Sequence, residues 1–302
     1  MNTGTAPRSI EQYLKALREA LAGEDPALIQ DALYDAEEYL RAEVLANPGR
    51  SEADVLELIA STYGAPDEVA EAYRTTERQV REALAPPRPK VHRSSLGRFF
   101  GVYGDSRAWT ALFYMLLALA TGIVYFTVTV TGLSMSAGLA LLIVGIPFFL
   151  LFVGFTRVLA LAEGRLVEGL LGQRMPRRPT YPQKGKPIGA RIKDMLVDRR
   201  TWTTMLYFLL MLPLGVLYFG IAVTGFATGL ALTLGPLAAL VSHEGGGIYL
   251  EGYYYTLDLL PSIALAVLGV LLLTTMLHLC RGIGTMHGGL AKHLLVAQSR
   301  AD

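Results

Sequence analysis

One cysteine, Cys280, stands in a chain of 302 residues, which excludes a disulfide framework and any thiol or zinc cluster. Charge is scarce as well: Asp, Glu, Lys and Arg make up 18% of the residues, where soluble domains carry roughly 25%. The start, "MNTGTAPRSIEQYL", has no basic segment leading into an apolar run, so no cleaved leader is expected and the first domain should remain in the cytoplasm. No phosphate-cradling glycine loop, nucleophile–base pair or metal-ligand spacing occurs. A non-enzymatic protein with no catalytic residue, metal or cofactor is therefore the expectation.

What charge there is falls unevenly. Arg8 to Glu82 holds 17 acidic and 8 basic residues, whereas the remainder holds 9 acidic and 19 basic, so an acidic soluble module is joined to a basic membrane module. In the first, Ser9 with Gln12, Asp25 before Pro26, Ser51 with Asp54, and Pro66 after Gly64 are helix-start signals. Apolar residues at Tyr13, Leu14, Leu17 and Leu21 recur at three- and four-residue steps, as do Leu28, Ala32, Ala36, Tyr39 and Leu40. A small antiparallel helical bundle over 8–84 is expected. With about 75 residues such a bundle has little core and gains by docking on something. Its acidic stretch "YDAEEYLRAE" disfavours nucleic acid and makes Asp35, Glu37 and Glu38 candidates for contact with a protein partner.

The sequence "IEQYLKALREAL", the acidic "DALYDAEEYLRAEV" and "EADVLELIASTYGAPDEVAEAY" resemble the HAAS domain, a cytoplasmic helical module of bacterial membrane signalling proteins. That resemblance implies a protein partner, with PadR-type transcriptional regulators the associated class.

Residues 85–104 form a basic, proline-rich linker, "APPRPKVHRSSLGRFF" within it, suited to an extended approach to a bilayer. Four apolar stretches follow, near Ala108–Val130, Leu139–Thr156, Thr203–Thr224 and Leu257–Leu279, each about the length of a spanning helix and without interior Asp, Glu, Lys or Arg. Arg157 to Arg200 contains eleven Lys or Arg residues, while 132–138 and 225–256 contain none. Both termini and the central loop, 173–197, are thus expected in the cytoplasm of a bacterial inner-membrane, multi-pass protein.

The spans also repeat. "DSRAWTALFYMLLALATGIVYFTVTVTG" from Asp105 aligns with "DRRTWTTMLYFLLMLPLGVLYFGIAVTG" from Asp198 at an offset of 93, and "RVLALAEGRLVEGLLG" from Arg157 matches "RGIGTMHGGLAKHLLV" from Arg281 at 124. This divides the membrane half into 105–172 and 198–298, two halves expected to run in parallel. Trp109 and Trp202 are expected as interfacial anchors, and Gly122 and Gly215 as sites of close helix approach. The expected class is all-α, a small cytoplasmic bundle plus four transmembrane helices.

The membrane half, on "DRRTWTTMLYFLLMLPLGVLYF", "GLALTLGP", "GGGIYLEG", "LAVLGVLLL" and "RGIGTMHGGLAKHLL", resembles a sensor domain of bacterial, mainly actinobacterial-type, membrane proteins that also precedes some histidine kinases. No nucleotide-binding glycine loop or phosphoacceptor-helix pattern is read in these residues, so autophosphorylation is not expected of them. The resemblance implies perception of a signal at or in the envelope.

The second half differs by its insert, 242–256. "GLALTLGPLAALV" looks too short to cross and is expected to be a half-helix or re-entrant piece. After it, Ile248–Leu250 and Tyr253–Tyr255 flank Glu251-Gly252 as an outward hairpin. His243, Glu244, Tyr249, Glu251, Tyr253, Tyr254, Tyr255 and Asp258 are candidate ligand residues for a cationic amphiphile or lipid headgroup, with a headgroup-level aromatic belt as the competing role of the tyrosines. Membrane lipid is the expected small partner, and a homo-oligomer stays open. Transport of a lipid or small molecule, or a plain membrane scaffold, are the rival functions. Absence of ionisable residues from the spans argues against an ion path.

Overall fold

A computed structural model describes residues 7–83, 94–140, 144–178, 196–241, 247–250, 253–256 and 258–296. The N-terminal module has four helices: α1 (Ile10–Ala20), α2 (Pro26–Ala46), α3 (Glu52–Ala60) and α4 (Pro66–Ala83). Each begins at its sequence signal. Ser9 Oγ accepts from Gln12 N–H, Asp25 caps α2 ahead of Pro26, and Ser51 and Asp54 form a reciprocal capping box. Gly64, at φ +100°, turns the chain from α3 into α4 in a conformation that a side chain would resist. Ile10, Tyr13, Leu17, Leu21, Ala32, Ala36, Leu40, Val55 and Ile59 close over one another as the core.

The membrane half opens with α5 (Ser95–Phe100), followed by a 3₁₀ turn, Gly101–Gly104. Then come α6 (Ser106–Leu139), α7 (Gly145–Leu166) running into a π-helical turn at Val167–Leu171, α8 (Arg199–Val241) and α9 (Leu259–Leu295). Among the described residues four helices are long and apolar enough to cross a membrane, so these residues form an all-helical, multi-pass membrane protein apart from one hairpin. In the hairpin, β1 (Gly247–Leu250) pairs antiparallel with β2 (Tyr253–Thr256), Leu250 opposite Tyr253.

The spans are longer than the apolar pattern marks them. The 132–138 stretch is not a loop but the last turns of α6, and 229–241 is not a re-entrant piece but the continuation of α8, through Pro213 and Pro236. In an apolar setting the backbone has no water to turn towards, so hydroxyls fold back on the helix instead. Ser136 Oγ donates to Gly132 O at 2.6 Å and Thr233 Oγ1 to Gly229 O at 2.7 Å.

α6 and α8 cross with their backbones in contact. An added methyl at Gly122 would overlap the Met211 backbone, and one at Gly215 the Ala118 backbone, and Tyr125 stacks on Phe208. As residue number rises along α6 it falls along α8. The two halves therefore run in opposite senses, related by an axis across the helices rather than along them, which corrects the parallel arrangement expected above. In this sense both glycine contacts form while Tyr125 lies against Phe208. α9 runs with α6, bringing Arg281 to Asp105 (3.1 Å) and His287 to Tyr114 (2.7 Å). α7 runs with α8, bringing Arg157 to Asp198 (3.6 Å) and Glu163 to Tyr207 (2.8 Å). The arginine of each half thus pairs with the aspartate of the other.

Candidate functional site

Where the four long helices meet lies a closed polar cluster that the apolar pattern gives no hint of. α7 supplies Glu163, fully buried, and α9 supplies His287, 1% exposed. α6 supplies Tyr114 and Tyr125, and α8 supplies Tyr207 and Tyr218, all buried. Tyr114 Oη donates to Glu163 Oε1 at 2.6 Å and Tyr207 Oη to the same oxygen at 2.8 Å, while Tyr125 Oη donates to Oε2 at 3.0 Å. The phenol oxygens of Tyr114 and Tyr207 also lie 2.7 and 3.0 Å from His287 Nε2, and Tyr218 Oη lies 3.3 Å from Nδ1.

Proton counting fixes one consistent pattern. Three phenols spend their protons on the carboxylate, so Tyr114 and Tyr207 meet His287 as acceptors and Nε2 carries hydrogen. Buried polar groups need such partners, and three donors around one carboxylate satisfy it without a neighbouring cation. Both members of the first pair, Tyr114 and Tyr207, are mates at offset 93, as are Tyr125 and Tyr218; Glu163 and His287 are mates at offset 124. An acid in one half faces a base at the equivalent place in the other. The sequence does carry this signal: two tyrosines recur at matched positions inside apolar helices, and an ionisable residue followed by glycine recurs six residues after each matched arginine. Both ionisable residues lie beyond the apolar stretches Leu139–Thr156 and Leu257–Leu279.

Next to the cluster the N-terminal module is seated. Asp31 of α2, 5% exposed, accepts from the backbone N–H groups of Arg177 (2.7 Å) and Arg178 (2.8 Å) and pairs with the Arg174 guanidinium (2.9 Å). Arg174 also reaches Glu77 of α4 and Glu168. Asp35 pairs with Arg178, whose guanidinium lies over the Tyr34 ring. Gln30 bridges Arg178 O and Arg200 Nη1. Asp25, the cap of α2, spends its second oxygen on Lys292 Nζ at 2.6 Å. Ala27 is fully buried in the same apolar cluster as Tyr114, Tyr207, Met175, Ala291 and Leu295. Burial pushes the Asp31 carboxyl above the ordinary aspartate range, against the two N–H groups and Arg174 that pull it down. Its partners are thus what keeps that charge tolerable.

The route from cluster to docking surface is short on both helices. Glu168, five residues after Glu163, pairs with Arg174 and Arg177, and Lys292, five residues after His287, holds Asp25. Glu168 and Lys292 are again mates at offset 124.

The residues singled out in the sequence are distributed as follows. Trp109 and Trp202 are about half exposed, and each indole N–H donates to a carbonyl six residues earlier, Tyr103 O and Leu196 O. Because α6 and α8 oppose each other, these anchors lie at opposite ends of the bundle. Glu37 pairs with Arg41 one turn on, and Glu38 is exposed. Asp258 is exposed at the start of α9. Tyr249, Tyr253, Tyr254 and Tyr255 lie on the hairpin strands, of which the backbone alone is described; His243, Glu244 and Glu251 fall outside the described residues.

The family described as "Sensor: Putative sensor" matches residues 114–295, more than half of the chain. The protein belongs to that family of membrane sensors. No curated protein and no solved structure matches it.

Proposed function

We propose that this protein is a non-enzymatic membrane sensor that perceives a lipid, amphiphile or other envelope signal and relays it through its docked N-terminal helical module to a cytoplasmic protein partner. The observation that carries the reading is the seat of α2: the module rests on the residues that follow Glu163 and His287, so a change in helix packing reaches it directly. Membership of the sensor family supports the first half of this reading. The N-terminal module and the end of α9 share one face through Asp25 and Lys292. We assign that face to the cytoplasm of a bacterial inner-membrane protein, on the basic residues gathered there, Arg174, Arg178 and Lys292. Asp35 is engaged by Arg178, and Glu38 of the same helix faces solvent. Undocking frees the acidic surface for a partner; by the HAAS resemblance a PadR-type regulator is the class to try, with no direct contact to nucleic acid.

Native mass spectrometry of the gently extracted protein beside a variant lacking His243 to Thr256 tests the signal half. A discrete lipid or amphiphile adduct lost in the variant is expected. An adduct-free wild type contradicts the ligand-cap reading. A second reading, transport, gains from the cluster, because an ionisable pair inside a bundle is what ion or proton paths are built from. Flux of protons or fluorescent lipid through reconstituted vesicles that is abolished in Glu163→Gln distinguishes it.

A further inference from the structure

We propose that Glu163 and His287 form a proton-binding site whose occupancy controls docking of the N-terminal module. Glu163 and His287 are the acid and base of the cluster, and among the described residues the groups facing them are the phenols of α6 and α8: Tyr114 and Tyr125 from one, Tyr207 and Tyr218 from the other. No Lys, Arg or Asp contacts either among the described residues. With His287 neutral, the cluster holds one buried negative charge balanced by hydrogen bonds alone. One added proton makes it neutral overall, which burial favours.

The geometry gives that proton two resting places and a path between them. In the first state His287 is an imidazolium, with Nδ1–H turned to Tyr218 Oη and Nε2–H to Tyr114 Oη, and Glu163 is a carboxylate. Passing the Nε2 proton to Tyr114 Oη while Tyr114 passes its own to Glu163 Oε1 leaves a neutral imidazole protonated at Nδ1 and a carboxylic acid. Two O–H or N–H bonds form, two break, and the net charge is unchanged. Tyr207 offers the same bridge at slightly longer distances.

Coupling to the docking surface follows from sequence distance. One and a half turns past each member lies a residue that holds the N-terminal module: Glu168 through Arg174, and Lys292 through Asp25. Loss of the proton leaves a bare charge between the helices that carry these contacts, and relaxation of those helices moves both. The closed, docked state therefore binds the proton more tightly than the undocked state. Docking is complete at low pH and is lost as the pH rises through the docked-state value, by up to about tenfold in the equilibrium per pH unit for one proton.

The inference uses the relay reading only in taking docking as one readout; the proton site has its own. The full chain in lipid nanodiscs is titrated while infrared difference spectra follow the carboxyl C=O stretch and hydrogen exchange follows the amides of α2. The expected result is a protonated-carboxyl or imidazolium signature that vanishes in both Glu163→Gln and His287→Gln, together with a rise in α2 exchange on alkalinisation that both variants flatten. Tyr218→Phe, which leaves the bridge through Tyr114 and Tyr207 intact, is expected to shift the midpoint and keep the step. An infrared signature unchanged in the variants overturns the site. A signature that vanishes without any step in α2 exchange overturns the coupling while leaving the site standing.

Discussion

Gly215 and Gly122 set how closely the two longest helices approach, and neither position has room for a single methyl. Gly215→Ala is predicted to cost about 1–3 kcal/mol of bundle stability through overpacking, read as a lowered midpoint in detergent-induced unfolding; an unchanged midpoint would mean that the crossing is looser than described. At the docking surface Arg174 is 12% exposed and serves Asp31, Glu77 and Glu168 together. Arg174→Ala leaves a buried carboxylate without its cation and is predicted to weaken docking by about 3–5 kcal/mol, seen as fast amide exchange in α2. Residue by residue, the sequence announced its glycines and tryptophans but concealed its acid. Glu163 sits six residues beyond Arg157, in a stretch whose arginines read as a cytoplasmic flank, and only the three phenols that surround it make its burial affordable.

Helix starts in the soluble module were legible because capping is local chemistry. Ser9, Asp25, Ser51 and Pro66 each act within one turn of their own position. Helix ends in the membrane half were not. Glycine, serine and threonine mark turns in water, but in an apolar bundle a hydroxyl satisfied by the carbonyl four residues back lets the helix run on, as Ser136 and Thr233 do. The sense of α6 against α8 was also hidden, since it is fixed by contacts between distant residues, Tyr125 on Phe208 and His287 with Tyr114 and Tyr218, and the charge count that suggested parallel halves does not see them. Single cysteines at Arg107 and Arg199, in a Cys280→Ser background, check the point: a reagent confined to one face of the membrane is predicted to label one of them and spare the other. Equal labelling from the same face would restore the parallel arrangement.

Across the whole molecule, the acidic module and the basic segment are drawn together by the charge asymmetry visible in composition, and the structure gives that attraction an address at Asp31, Asp35 and Asp25. Two of these pairs, Asp35 with Arg178 and Asp25 with Lys292, remain partly open to solvent, so raising the salt from about 0.1 to 1 M, where the screening length falls from ~10 to ~3 Å, is predicted to speed exchange in α2 without melting α1 or α3. The central claim is that the module docks and undocks in response to the membrane. Its most direct test is a distance distribution by pulsed electron resonance between spin labels at Glu38 and Arg165, with Cys280→Ser, in nanodiscs of changing lipid composition. Two populations whose ratio follows the lipid, with Asp31→Ala shifting all molecules to the longer distance, is the predicted result. A single distance that ignores both the lipid and the substitution would contradict the relay and leave a membrane scaffold in its place.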